Sequence, residues 1–194
     1  SPADITGGYL LEMDFATRAQ EELCYFVTKR GYYVVVKSPE CCSQAEMDYI
    51  ASYYQTYEDI LFTGQPQNGK TLQDYVDLTS AAQCYIINEL SKNPDGFHTS
   101  SYLYKEAGDG PMHMGPIWDY DLSFGTGTGA NNTACADPEG FFVLYDPYVR
   151  ALYQNGDFRL AVQQEYTQKT APLISNVLCG ASGSASGSLK SFAD

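Results

Sequence analysis

The sequence predicts an α+β fold, and three observations carry that prediction. Alternating or β-branched segments fill the front of the chain, two long stretches with helical spacing occupy its middle, and a further pair of strand-like segments follows. GGYLLEMDF at 7–15 alternates around Tyr9, Leu11 and Met13 and reads as a strand. LCYFVT and YYVVVKS flank Lys29, Arg30 and Gly31 and read as a β-hairpin. Ser43, with Glu46 three residues on, forms a capping box, and Met47, Ile50, Tyr54, Tyr57 and Leu61 follow at helical spacing until Gly64 to Gly69 breaks the pattern. A second helix, about Leu72 to Lys92, puts Leu72, Tyr75, Val76, Ala82, Tyr85, Ile86 and Leu90 on one side and stops at Asn93-Pro94. SSYLYKE and HMGPIWDYDLSF, parted by the Gly108 to Gly110 turn, read as a second hairpin. The glycine-rich run at 125–140 reads as a surface loop and contains the glycosylation sequon Asn131-Asn132-Thr133. Past Asp146-Pro147, a short helix to Tyr153 and a longer one through Phe158, Val162 and Tyr166 are expected, and GASGSASGS has the composition of a linker.

Bulk properties narrow the function. The chain has 194 residues, 44% of them apolar or aromatic, which is enough for one domain with a real core. A net charge of −13 with only 11 Lys and Arg, and no basic stripe, argues against nucleic acid or anionic lipid as a partner. No stretch approaches the ~20 apolar residues of a membrane span. The six cysteines show no CxxC pair, so a zinc site is not expected. Cys24 and Cys41 flank the first hairpin and are candidates to bridge it, among 15 complete pairings, whereas a bond between adjacent Cys41 and Cys42 would be strained. Reduced, partly buried thiols are an equal alternative. The 17 tyrosines, low charge density and Gly/Ser/Thr/Asn loops lean towards a secreted or cell-surface protein.

The chemistry concentrates between Asn93 and Gly125. Asp95 sits in a Pro/Gly-flanked loop, and Asp119 and Asp121 sit in WDYD, where an extended backbone would turn both carboxylates to one face and Trp118, Tyr120 and Leu122 to the other. A long helix, a loop with one acid, a hairpin and a second acid form the layout of a phosphotransferase C-lobe. Such an enzyme needs an aspartate to orient the acceptor hydroxyl and oxygen ligands for magnesium on the nucleotide phosphates. Other readings stand beside this one. Asp before Gly is a common turn pair, and Asp119 and Asp121 are open to capture by backbone amides or by Arg150 or Arg159. His98 and His113 read as structural or surface residues, and the tyrosines at 53, 54, 57 and 75 as helix packing.

GGYLLEMDF, VVVKSPE, INELSKNPDG, SSYLYK and GPIWDYDLSFG together resemble the spore coat protein H kinase family, often written CotH, over residues 7 to 170. GPxWDxDLxxG after NExxxNxDxxxxS is the multi-part pattern that carries the resemblance. It implies an atypical protein-kinase-like fold, here mainly the helical C-lobe with its β-hairpins, and ATP- and Mg²⁺-dependent phosphorylation of secreted or coat proteins. Position by position, Asp95 resembles the catalytic-loop aspartate, Asp119 the metal-binding aspartate with Asp121 beside it, and Asn93 and Trp118 positioning parts of the same motifs. Ser100 stands five after Asp95, where kinases commonly carry a metal-binding Asn. Lys37 and Glu40 match the family's KSPE segment, and Lys37 is read as a nucleotide-phosphate contact. Family members usually have further strands upstream, so residues 1–178 are expected to form a partial domain whose N-terminal lobe is truncated, with 179–194 as a tail. The alternatives are a non-catalytic surface or coat-assembly module that binds a protein partner, and an extracellular domain in which WDYD holds structural Ca²⁺.

Overall fold

The computed structural model describes residues 4–126 and 135–180. Half of the glycine-rich run, its sequon and nearly all of the tail lie outside the described residues. The chain divides into two compact units, Ser1–Ala81 with Asp95–Trp118 and Ala82–Pro94 with Asp119–Asp194. The architecture is α+β, as predicted, with a five-stranded antiparallel sheet and several helices.

The first unit holds the sheet. Strands β1 (Tyr9–Asp14), β2 (Tyr25–Val27), β3 (Tyr33–Ser38), β4 (Ser101–Lys105) and β5 (Met112–Met114) lie in the order β2-β3-β1-β4-β5. A single turn, α1 (Ala16–Ala19), follows β1. The predicted first hairpin forms with Phe26 opposite Val34, and its turn closes through the Thr28 amide on the Tyr32 carbonyl at 2.9 Å, with Gly31 at φ 88°. Leu11 faces Val36 on one neighbour and Leu103 on the other. The period of two therefore gathers Tyr9, Leu11, Met13, Val34, Val36 and Leu103 on one buried face. Helix α2 (Gln44–Thr63) covers that face, its Tyr54 ring 5.7 Å from Phe26 and its Tyr49 ring 6.2 Å from Tyr9. The capping box at Ser43 and Glu46 is formed, and Gly64 ends the helix in the left-handed region at φ 67°.

Two boundaries differ from the sequence reading. The second long helix, α3, runs Leu78–Ser91 rather than from Leu72, which sits in a separate 3-10 turn, Leu72–Asp74. Tertiary pairing interrupts the helical pattern: the Met112 amide donates to Tyr75 and the Asp77 amide to Met112, both at 2.8 Å, and Asp77 then receives the Ser80 amide as α3 begins. The second hairpin pairs Leu103 with Met114, but its outgoing strand ends there instead of continuing into WDYD.

The second unit is helical. Asp146 accepts the amides of Tyr148 and Val149 and Pro147 occupies the first turn of α4 (Pro147–Gln154), as the Asp-Pro pair foretold. Asn155 caps α5 (Gly156–Glu165), which continues through a π-turn, Tyr166–Thr170, into α6 (Ala171–Gly180). Tyr85 of α3 packs against Tyr153 at 5.6 Å and Phe158 at 6.0 Å to form this unit's aromatic core. No helix among the described residues is long and apolar enough to cross a membrane.

Removing part of a completely buried central-strand side chain leaves a cavity, so Leu11→Ala is expected to cost about 3 kcal/mol. Loss of the α2 cap in Ser43→Ala is expected to cost about 1 kcal/mol. Urea titration with an unchanged m-value checks both.

Candidate functional site

The Asp95 segment belongs to the first unit and is held to the end of β1. Asp95 is half-buried, and its backbone carbonyl accepts the amides of His98 (3.4 Å) and Thr99 (3.2 Å), so the Asp-Gly pair does form a turn. The hydroxyl of Thr99 donates to Asp14 Oδ1 at 2.9 Å, and the same oxygen receives the Phe15 amide at 2.7 Å. Phe97 is buried and donates its amide to Ser101 Oγ at 2.8 Å. Two non-glycine residues here occupy the left-handed region, Phe97 at φ 73° and Ser100 at φ 48°. Each such residue costs on the order of 1–3 kcal/mol and persists only where its surroundings enforce it. Ser100 is buried.

Lys37 lies on the sheet face opposite α2. It pairs with Glu22 and with Glu12, the latter at 3.6 Å. Its ammonium is held protonated above the usual lysine value, chiefly by the hydrogen bond to Glu22 and despite partial burial. Glu12 is shifted the other way for an acid: burial raises its carboxyl above the ordinary range, and hydrogen bonding to Tyr102 and the charge of Lys37 offset this only in part. The Tyr102 ring meets Trp118 edge-on at 6.5 Å.

Asn93, Asp119 and Asp121 belong to the second unit. Asn93 is buried, and its side-chain amide donates to Asn88 Oδ1 at 2.8 Å while its backbone amide donates to the Asn88 carbonyl at 3.0 Å. Asn88 donates in turn to the Cys84 carbonyl at 2.8 Å. The Tyr120 hydroxyl hydrogen-bonds the side chains of both asparagines, and burial pushes its ionisation well above the ordinary tyrosine range. Four residues on, the Phe124 amide donates to the Ser91 carbonyl at 2.7 Å. WDYDLSFG is thus clasped to the last turn of α3 at Tyr120 and Phe124. It is not a strand: Asp119 is left-handed at φ 61°, Phe124 at φ 54°, and residues 121–126 form a turn. Period-two alternation fails through an αL residue, so the expectation that Asp119 and Asp121 share one strand face is corrected. Both acids are exposed, as is Trp118. Arg159 is occupied with the carbonyls of Tyr153 and Gln154.

Glu89 stands in the NExxxN pattern, but sequence reasoning assigns it no role. It is 3% exposed, its two oxygens accept the amides of Phe142 and Val143 (the second at 3.0 Å), and Lys92 Nζ lies 3.3 Å from Oε1 and also donates to the Gly140 carbonyl. A signal existed: Glu89 stands three residues after Ile86 and four after Tyr85, on the apolar side of the helix, where an acid must find partners. Beside Glu89 opens a cleft of about 500 Å³ lined by Tyr85, Ile86, Phe141, Tyr153, Val162 and Tyr166, and none of the six residues singled out from the sequence lines it. Within either unit, among the described residues, no three His, Cys, Asp or Glu side chains form a ready metal cage. Magnesium does not need one, since one or two carboxylates with substrate phosphates suffice, and the oxygen donors of Asp119 and Asp121 fit it chemically.

Glu89→Ala strands the buried Lys92 ammonium and two amides, and is expected to cost about 3–5 kcal/mol. Tyr120→Phe removes one hydroxyl from the asparagine pair and is expected to cost about 1 kcal/mol; denaturant midpoints measure both. Glu12 binds its proton more tightly folded than unfolded. Its contribution to stability is therefore present at low pH and is lost as pH rises from the ordinary value of 4.5 through the raised folded one. Glu12→Gln is expected to flatten that part of the stability profile, read from urea midpoints between about pH 4 and 7.

No curated protein and no solved structure matches this chain. The family model described as CotH kinase protein matches residues 6–178, which include the Asp95 loop, the α3 clasp and WDYD. The chain belongs to the CotH kinase protein family.

Proposed function

We propose that this chain carries the catalytic-loop portion of an atypical protein kinase of secreted or coat proteins, moving the γ-phosphoryl of ATP to a Ser or Thr hydroxyl. One observation supports the reading beyond family membership. Of the six non-glycine residues with positive φ among those described, four, Phe97, Ser100, Asp119 and Phe124, fall on the two segments that carry Asp95 and Asp119. Backbone strain of this kind concentrates where side chains are held for chemistry.

In this reading Asp95 orients the acceptor hydroxyl and takes its proton as the oxygen–phosphorus bond forms. Asp119 and Asp121 would supply oxygen donors to Mg²⁺, which when bound neutralises charge on the phosphate oxygens. Asn93 acts beneath the loop, fixing Asn88 and through it Tyr120. Lys37 is already neutralised by two carboxylates, of which Glu22 is the more exposed at 42% against 10% for Glu12. It reaches a phosphate by exchanging Glu22 for the nucleotide while keeping Glu12.

Thermal shift tests the reading. ATP with Mg²⁺ is expected to stabilise the chain, by about 2.7 kcal/mol at a hundredfold excess over Kd, and Asp119→Ala is expected to abolish the effect. Asp95→Asn is expected to keep the stabilisation and lose transfer of labelled phosphate to a Ser/Thr substrate. Stabilisation by Ca²⁺ alone points instead to a structural ion, and no response to any of these to a binding module.

A further inference from the structure

We propose that Cys24 and Cys42 are a disulfide-forming pair that staples the start of the first hairpin to the entry of α2. Each cysteine adjoins a fixed piece of backbone. The Cys24 carbonyl accepts the Val36 amide at 2.8 Å, which fixes it to β3. Cys42 immediately precedes Ser43, the residue locked by the α2 capping box. Between these anchors the Cys42 amide donates to Cys24 Sγ at 3.1 Å, the two thiols are hydrogen-bonded to one another, and Cys42 Sγ lies 3.5 Å from the Pro39 carbonyl. Bridging needs sulfurs that meet with little backbone movement, and the 3.1 Å approach of the Cys42 amide to Cys24 Sγ places the two residues side by side. Cys41, the partner that hairpin position alone suggests for Cys24, is exposed to solvent.

The oxidant is a small-molecule or protein disulfide. One cysteine thiolate attacks a sulfur of the oxidant and releases one of its thiols, leaving a mixed disulfide. The other cysteine gives up its proton and attacks the protein-side sulfur, releasing the second thiol. Two S–H bonds become one S–S bond, and the two electrons and two protons end on the oxidant's sulfurs. Burial pushes the Cys42 thiol up to about 12, with the Cys24 hydrogen bond adding to it. A thiol so held attacks slowly and leaves slowly, so the bond closes gradually and then resists exchange. The staple closes the stretch that carries Lys37 and lies two residues beyond Glu22, and so restrains that ion pair from both sides.

The test is non-reducing peptide mapping after incubation with oxidised glutathione, alkylation of remaining thiols and trypsin digestion. The expected product is peptide 19–29, whose only cysteine is Cys24, joined to peptide 38–70, which holds Cys41 and Cys42. The link is expected to persist in Cys41→Ser, a change at an exposed position, where it can only use Cys42, and reduction is expected to lower Tm by about 5–10 °C. Peptides 19–29 and 38–70 recovered alkylated and unlinked, Cys24 joined to any other peptide, or loss of the link in Cys41→Ser would overturn the proposal.

Discussion

A buried carboxylate at the end of α3 governs the second unit. Glu89 sits where an apolar side chain would satisfy the helical pattern, and a charge there survives only with every oxygen engaged. Its oxygens take up the Phe142 and Val143 amides and the Lys92 ammonium, which tie the segment before α4 to α3. On either side of Glu89 in the sequence, Asn88 and Asn93 do the same for WDYDLSFG by way of Tyr120. The family's NExxxN pattern is therefore first a set of polar fasteners, and the exposed acids of WDYD inherit their positions from it.

The first unit solves a parallel problem on a sheet. One face is apolar and packed under α2; the other carries Glu12, Lys37 and Tyr102, a charged cluster that a two-sided hydrophobic sheet would exclude. The Asp95 loop joins this unit through Asp14, at the end of the strand that supplies Glu12. Left-handed backbone at Phe97 and Ser100 is then enforced by short-range hydrogen bonds and by burial of Phe97, so the cost of the turn is met locally.

What was legible in the sequence was local. The alternation of β1, the first hairpin, the Ser43/Glu46 capping box and the Asp146-Pro147 helix start each depend on residues within a few positions of one another, and each forms as read. The start of α3 was misplaced because Tyr75, Val76 and Asp77 pair with Met112, far along the chain. WDYD reads as a strand because its alternation is real in composition, but the Tyr120 and Phe124 anchors, which no period encodes, override it. Among the candidate site residues, Asp95, Ser100, Asp119 and Asp121 were singled out through family resemblance and residue type, and the partners of Asn93 and the role of Glu89 emerged only from the fold.

Amide hydrogen exchange resolved to single residues tests the clasp most directly. If buried side chains of α3 hold the acid-bearing loop and the segment before α4, the amides of Phe124, Phe142 and Val143 will exchange nearly as slowly as those within α3 itself. Exchange of these three at the rate of exposed loops would contradict the account.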